Sequence, residues 1–324
     1  AVIVGFLFTA GRNWTNEPTP AGGVLMAIVA LWVAARILVL APWPMLAAAA
    51  DTAFALAAAT GLAVPFWAAR NRRNYFFVAL LLALGAINLA FHLAMAGYID
   101  FPVQRGLQLG LDILLFIMVV MGGRVIPMFT ANGAPGSRPA RKLWLERLSL
   151  GSVLVLVAAD AVVAPAVALA IVAAIAGLAH AARLALWQPQ RTARIPILWI
   201  LHASYAWIVL HLLLRALAEL GVVAPGIASH ALTVGAIGGM TLGMMTRTAR
   251  GHTGRLLRAG PMEVAAYGFV QAAALVRVVV PLAVPELYRD AVIASGLLWA
   301  LAFVMFTLAF WPVLSRPRID GRPG

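Results

Sequence analysis

Long apolar runs separated by short polar segments make up most of the chain. Ten of these runs are long enough, at about 1.5 Å of rise per residue, to cross a hydrocarbon layer about 30 Å thick as α-helices. They occupy approximately residues 22–40, 46–69, 74–97, 105–122, 145–163, 165–187, 196–219, 228–247, 262–281 and 291–312. The first ten residues, AVIVGFLFTA, cover only about half of that thickness, so we expect them to end a helix that begins before this sequence. The pattern predicts an all-α, polytopic transmembrane helical bundle with about 11 spans, a single membrane domain over residues 1–324 that is truncated at its N-terminus.

The composition also indicates a membrane protein. Apolar residues make up 63% of the chain and charged residues only 11%, which is more apolar surface than one soluble core can bury. The net charge of +13 raises the question of nucleic acid, but the basic residues lie in short runs between apolar segments. We therefore expect a lipid bilayer, and no nucleic acid, as partner. Because the chain has no cysteine, any metal must be held by His, Met, carboxylate or Tyr side chains.

The basic residues predict the orientation of the spans. Junctions after every second span are rich in Arg and Lys, whereas the alternate side has only Arg36, Arg105 and Arg289 near it. The rich side contains Arg12, Arg70, Arg72, Arg73, Arg124, Arg138, Arg141, Lys142, Arg147, Arg183, Arg191, Arg194, Arg247, Arg250, Arg255, Arg258, Arg316, Arg318 and Arg322. By the positive-inside rule this side, with the C-terminus, is cytoplasmic.

Polar residues inside the predicted spans concentrate in one layer. The outer half of the membrane or its outer edge holds Arg36, Asp51, Asn88, His92, Asp112, Asp160, His211, Arg215, Glu219, His230 and Arg277. The inner half holds His180 and His202. Because an unpaired charge in hydrocarbon is costly, such groups face one another or a watery cavity. We expect a polar cluster that opens toward the extracytoplasmic face.

The segment HASYAWIVLHLLLRALAE, residues 202–219, contributes most to this layer. His211, Arg215 and Glu219 follow one another at four-residue spacing and share one helix face. His202 lies nine residues before His211, about half a turn around, so one helix cannot bring both histidines to one site. The alternative is structural: Arg215 and Glu219 form an interhelical strut, and the two histidines make polar contacts between helices.

The other histidines give weaker signals. His92 shares a helix face with Asn88, which indicates a position facing the bundle. His230 lies at the outer boundary, where water alone would satisfy it, and His180 lies beside Arg183 at the inner boundary, where a role in function is not expected. No local histidine motif for a metal occurs, so metal ligands would have to converge from different helices.

Two further segments are distinctive. Gly235, Gly238, Gly239 and Gly243 place small residues at helical spacing, which favours close packing of another helix over the approach of a flat macrocycle. In GGRVIPMFTANGAPGSR, residues 122–138, Pro127 and the Asn-Gly pair predict a non-helical boundary after a membrane helix.

These segments carry a resemblance to a known family. GFLFTAGRNWTNEP, GGRVIPMFTANG, ILHASYAWIVL and HALTVGAIGGMTLGMMTRTARGHTGR occur in this order along the chain, and together they resemble the NnrS family of bacterial membrane proteins. The resemblance implies a twelve-span inner-membrane protein associated with haem and copper, with denitrification and with the response to nitric oxide and nitrosative stress. The family has a further N-terminal helix and a His-rich motif before the position of Ala1, and neither is in this sequence. The recurrent histidines of the family fall on His92, His202, His230 and His252.

We therefore expect a protein that binds haem, with copper as a second candidate metal, and that protects the cell from nitric oxide. The expected metal ligands are His92, His202, His211 and His230. The expected cofactor-binding residues are His92, His202 and His230, with Arg36, Arg215 and Arg277 for the haem propionates. The electron donor is unknown, and reduction, sequestration and sensing of the gas stay open.

Two alternatives remain. One is a redox enzyme related to haem–copper oxidases and nitric-oxide reductases, for which Asp112, Asp160 and Glu219 are the acidic groups placed to assist. The other is a transporter that uses the outer polar layer as a vestibule for an ion or small solute.

Overall fold

The computed structural model describes residues 2–321, which form helices, turns and loops without a β-strand. Helices in this part of the chain are α1 (Val2–Thr15), α2 (Gly22–Leu38), α3 (Pro44–Ala68), α4 (Tyr75–Met95), α5 (Val103–Gly133), α6 (Leu143–Ala161), α7 (Ala166–Leu186), α8 (Pro196–Glu219), α9 (Pro225–His252), α10 (Pro261–Ala283) and α11 (Tyr288–Leu314). A π-helical segment, Ala231–Gly238, lies inside α9. Ala1 of the first predicted run and Arg322 of the basic side lie outside the described residues.

Eight of the helices in the described chain are long and apolar enough to cross a membrane: α3, α4, α5, α7, α8, α9, α10 and α11. The all-α membrane class is therefore confirmed, whereas the count of about 11 spans is not. The remaining three explain the difference. Helices α1 and α2 have only 14 and 17 residues, and α6 carries Glu146, Arg147 and Asp160.

The prediction of a non-helical boundary at Pro127 is wrong. Helix α5 runs for 31 residues with Pro127 inside it, and it ends at Gly133. A proline removes only one backbone donor, and membrane helices tolerate this loss where neighbouring helices and Ser or Thr side chains satisfy the freed groups.

The chain divides into two compact units, Ala1–Ile117 and Met118–Gly324. In the first unit, the aromatic rings of Trp14 and Phe77 stack with 5.6 Å between their centroids, and Phe66 packs 6.3 Å from Trp14. Asn71, in the arginine-rich connection after α3, donates to the carbonyl of Trp14 at 3.1 Å. The Asn-Trp-Thr segment at the end of α1 thus anchors that helix to α3 and α4.

Helix α8 is the centre of the second unit. It packs against α7 and along α9, and most of its residues are buried. A Cβ atom at Gly235, Gly239 or Gly243 would meet a side chain of α8. The side chains in question are those of Trp207, Ser204 and Ile200. The expectation that these glycines admit a closely packed helix is confirmed.

The outward-facing side chains are largely apolar. Leu40 is 89% exposed, Val162 76% and Trp311 71%. Large apolar side chains are exposed on many helices of the described chain, as a hydrocarbon environment requires.

Candidate functional site

His202 is a buried, neutral imidazole that uses one of its two ring nitrogens in a hydrogen bond. Its Nε2 lies 2.8 Å from the Thr130 hydroxyl, and that hydroxyl already donates its hydrogen to the carbonyl of Ile126. The Thr130 oxygen must therefore accept, and His202 Nε2–H donates. The lone pair is then on Nδ1, which is buried and has no hydrogen-bond partner in the described residues.

His211 has the same arrangement with the ring nitrogens exchanged. Its Nδ1 lies 2.7 Å from the carbonyl oxygen of Ala228, which can only accept, so Nδ1–H donates. The Nε2 atom is buried and, within residues 2–321, has no hydrogen-bond partner. A histidine that donates one N–H to a backbone carbonyl and offers the other nitrogen is the usual form of a metal-ligating histidine.

His230 and Arg277 form a pair. Arg277 Nη2 lies 2.9 Å from His230 Nε2, and because a guanidinium only donates, the imidazole nitrogen accepts. The guanidinium also lies 5.8 Å from the ring centroid of Tyr288. The Nε2 lone pair of His230 is thus in use, unlike those of His202 and His211.

The pair of Arg215 and Glu219 predicted as a strut is present and extends to a third residue. Arg215 Nε donates to Glu219 at 2.6 Å, and Arg215 Nη2 donates to Asp160 of α6 at 2.6 Å. The guanidinium is buried between two carboxylates from α6 and α8. This geometry favours the structural alternative for Arg215 and Glu219.

His92 belongs to the first unit. Its Nε2 lies 3.0 Å from Asp51 Oδ2, and Arg36 pairs with the other oxygen of the same carboxylate. In the neutral ring the Nε2–H donates to Asp51, which leaves Nδ1 with the lone pair. Asp51 is buried, whereas the Arg36 side chain is 48% exposed.

The remaining predicted residues take other places. Asp112 is buried and accepts from Gln108 at 2.9 Å, and His252 is exposed at the end of α9. Helices α8 and α9 adjoin, so His211 bonds to a carbonyl two residues before His230.

Within residues 2–321 no group of three or more His, Asp or Glu side chains is close enough to hold a metal ion. A cofactor that needs one axial imidazole does not require such a group.

The second unit contains a buried hydrogen-bond network that the sequence pattern did not predict. Arg183 donates from Nε and Nη2 to Glu146 at 2.9 and 2.6 Å, and from Nη1 to the Val119 carbonyl at 2.9 Å. Nη1 also donates to the Tyr205 oxygen at 3.0 Å. His180 Nε2–H donates to a backbone carbonyl at 3.1 Å, so its Nδ1 accepts from the Tyr205 hydroxyl at 2.6 Å.

Two glycines of α5 make room for this network. A Cβ on Gly123 would fall on the guanidinium of Arg183, and one on Gly122 would press on the ring of Tyr205. The Gly-Gly pair of the GGRVIP segment is therefore the signal in the sequence that could have indicated the network. It marks a close approach of side chains from α7 and α8.

Comparisons with known proteins identify a family. Neither the search of curated proteins nor the search of solved structures finds a similar chain. The family model described as NnrS protein matches residues 1–318, essentially the whole sequence. The chain belongs to the NnrS family.

Proposed function

We propose that this chain is a haem-binding membrane protein that protects against nitric oxide, with His211 as the first candidate to hold the haem and His202 as the second. Membership of the NnrS family supports a membrane protein of the nitric-oxide response. The observation that supports the haem part is the pair of buried imidazoles whose lone pairs have no partner in the described residues.

The donor chemistry of both residues fits a ligand of haem iron. Each ring is buried and held by one N–H bond, and burial away from water favours the neutral imidazole. In that form the remaining nitrogen would coordinate without first losing a proton. His230 fits less well, because its Nε2 accepts from Arg277. Bound haem iron would supply a coordination position for nitric oxide, a small uncharged gas that dissolves in the bilayer.

The arginines proposed for the haem propionates differ in availability. Arg215 already lies between Asp160 and Glu219. Arg36 belongs to the first unit and pairs with Asp51. Arg277 belongs to the same unit as His202 and His211 and forms no ion pair with a described carboxylate. Arg277 is therefore the better candidate for the bidentate bonds that carboxylates form with guanidinium groups.

Copper is the second candidate metal. Cuprous copper takes His and Met side chains as ligands, and within residues 2–321 no three His, Asp or Glu side chains are grouped closely enough to hold a metal ion. Copper stays a candidate metal for which we assign no ligands among residues 2–321.

The test is an absorption spectrum with haem quantification on the purified full-length protein. We expect a Soret band that shifts when nitric oxide is added, and His211→Gly should lose most of the bound haem because the imidazole proposed to hold it is gone. Imidazole added to His211→Gly should restore the band. His180→Gln is the matched control, because both ring nitrogens of His180 are already bonded within the protein.

Three outcomes would contradict the proposal. The first is a wild-type protein without colour. The second is that His211→Gly and His202→Gly both keep their haem. The third is that His180→Gln folds normally and loses as much haem as His211→Gly. If the reduced protein consumes nitric oxide, the protein is a redox enzyme and not only a binding protein.

A further inference from the structure

The connection between α9 and α10 contains two arginines that flank two leucines. These are Arg255, Leu256, Leu257 and Arg258. The backbone is fixed by turns: Arg255 N–H donates to the Arg250 carbonyl at 2.9 Å, and Arg258 N–H donates to the Leu256 carbonyl at 2.8 Å. Leu256 is nevertheless 83% exposed and Leu257 44% exposed. The connection thus presents apolar and cationic side chains together from an ordered turn.

A groove lies beside this connection. It has a volume of about 860 Å³ and is lined by Arg250 and Arg258 together with Leu256, Pro261 and Val264. Guanidinium groups and apolar side chains therefore line one depression at an end of two adjacent membrane helices.

The acidic groups near the groove are already paired. Glu263 bonds to Arg250 and to the Gly260 N–H, and Asp320 accepts two bonds from Arg318 at 2.9 and 2.6 Å. In the part of the chain that the structure describes, neither Arg255 nor Arg258 forms an ion pair with a carboxylate. One nitrogen of Arg255, Nη1, is buried without a hydrogen-bond partner among those residues. Arg258 lines the groove, and Arg255 lies three residues before it in the same connection. The groove and the turn beside it therefore have an excess of positive charge.

We propose that this groove binds the head group of an anionic phospholipid. Arg258 and Arg255 donate to the lipid phosphate, and the acyl chains lie along Leu256 and Leu257. Guanidinium groups form bidentate, charge-assisted bonds with phosphate oxygens, and basic pockets beside membrane helices are known settings for such head groups. The exposed leucines favour a lipid over a free phosphate ion, because a free ion has no apolar part to cover them.

The experiment uses the full-length protein in detergent and measures retained lipid by native mass spectrometry and lipid affinity by titration. Phosphatidylglycerol should bind, and phosphatidylcholine should not. The double variant Arg255→Gln, Arg258→Gln should bind phosphatidylglycerol about tenfold more weakly, because two charge-assisted contacts to phosphate are lost. The control Arg191→Gln, Arg194→Gln removes the same charge from exposed positions before α8 and should bind within about twofold of wild type.

Each of the following results would overturn the proposal. Equal binding of phosphatidylcholine would remove the role of head-group charge. An equal loss in the control variant would mean diffuse attraction to the charged surface and no defined site. Inorganic phosphate alone could stabilise the protein against heat as much as the lipid does, and equally in Leu256→Ser. That result would mean that the ligand is a free ion.

Discussion

His180 and His202 lie on neighbouring helices and differ in what their ring nitrogens can still do. His180 uses both nitrogens within the protein, whereas His202 uses one and keeps a buried lone pair on the other. Two buried histidines thus differ in role: His180 is structural, whereas His202 is able to coordinate a metal. The division depends on which partner accepts and which donates, and only the spatial structure gives those partners.

The glycine that faces Arg183 leads to a prediction about stability. Gly123→Ala should lower the free energy of unfolding by about 1–3 kcal/mol, because the added Cβ falls on a guanidinium that four hydrogen bonds hold in place. The midpoint of thermal unfolding in detergent measures the change.

The control for this variant is Gly151→Ala on α6, where a Cβ would meet nothing within 4 Å. Its midpoint should equal or exceed that of wild type, since alanine favours the helix. If Gly123→Ala unfolds at the wild-type midpoint, Arg183 is not held against α5 as described.

The sequence could identify single residues of the candidate site but not their partners. Spacing along one helix found Arg215 with Glu219, because both lie on α8. It could not find Asp160 as the second partner of Arg215, or Glu146 as the partner of Arg183, because those carboxylates lie on another helix. Local periodicity contains no information on which helices are neighbours.

At the scale of helices, α8 illustrates what an apolar pattern predicts well. Its predicted range, 196–219, agrees with the observed Pro196–Glu219, because proline marks its start and Gly221, with a φ of 72°, follows its end. Helix α5 extends beyond its predicted end near residue 122, because glycine and proline inside a membrane helix do not have the effect they have in water. Thus runs of apolar residues predict where a membrane helix lies, whereas glycine and proline do not reliably predict where it ends.

The packing of α9 on α8 gives a prediction at this scale. Gly235→Ala should destabilise the protein by about 1–3 kcal/mol, because its Cβ would overlap the Trp207 side chain, whose Nε1 donates to Gln271 at 2.8 Å. The measurement is again the midpoint of thermal unfolding. Gly268→Ala on α10, where nothing lies within 4 Å of a Cβ, should leave it unchanged, and an equal effect of both variants would contradict close packing at Gly235.

For the whole molecule, the absence of cysteine allows a direct test of orientation. Helix α5 is about 46 Å long at the usual rise, which is enough to cross a bilayer, so we expect its two ends on opposite sides. We expect Asp100→Cys, before α5, to react with an impermeant maleimide in intact spheroplasts. Ala140→Cys, in the arginine-rich connection after α5, should react only after permeabilisation.

The opposite labelling pattern would reverse the predicted orientation, and labelling of both cysteines in intact spheroplasts would mean that α5 does not cross the membrane. Both positions are exposed, so a lack of reaction does not follow from burial.

The ion pair between Glu146 and Arg183 also bears on biosynthesis. An arginine at the centre of a single membrane helix costs about 2.5–3.5 kcal/mol on scales derived from insertion by the translocon. Arg183 lies in the last turn of its helix, where the cost is smaller but still favours a paired partner. Glu146 lies on α6 and Arg183 on α7, and only residues 162–165 connect these helices. The nascent chain should therefore release α6 and α7 into the bilayer together, as one hairpin whose charges are already neutralised.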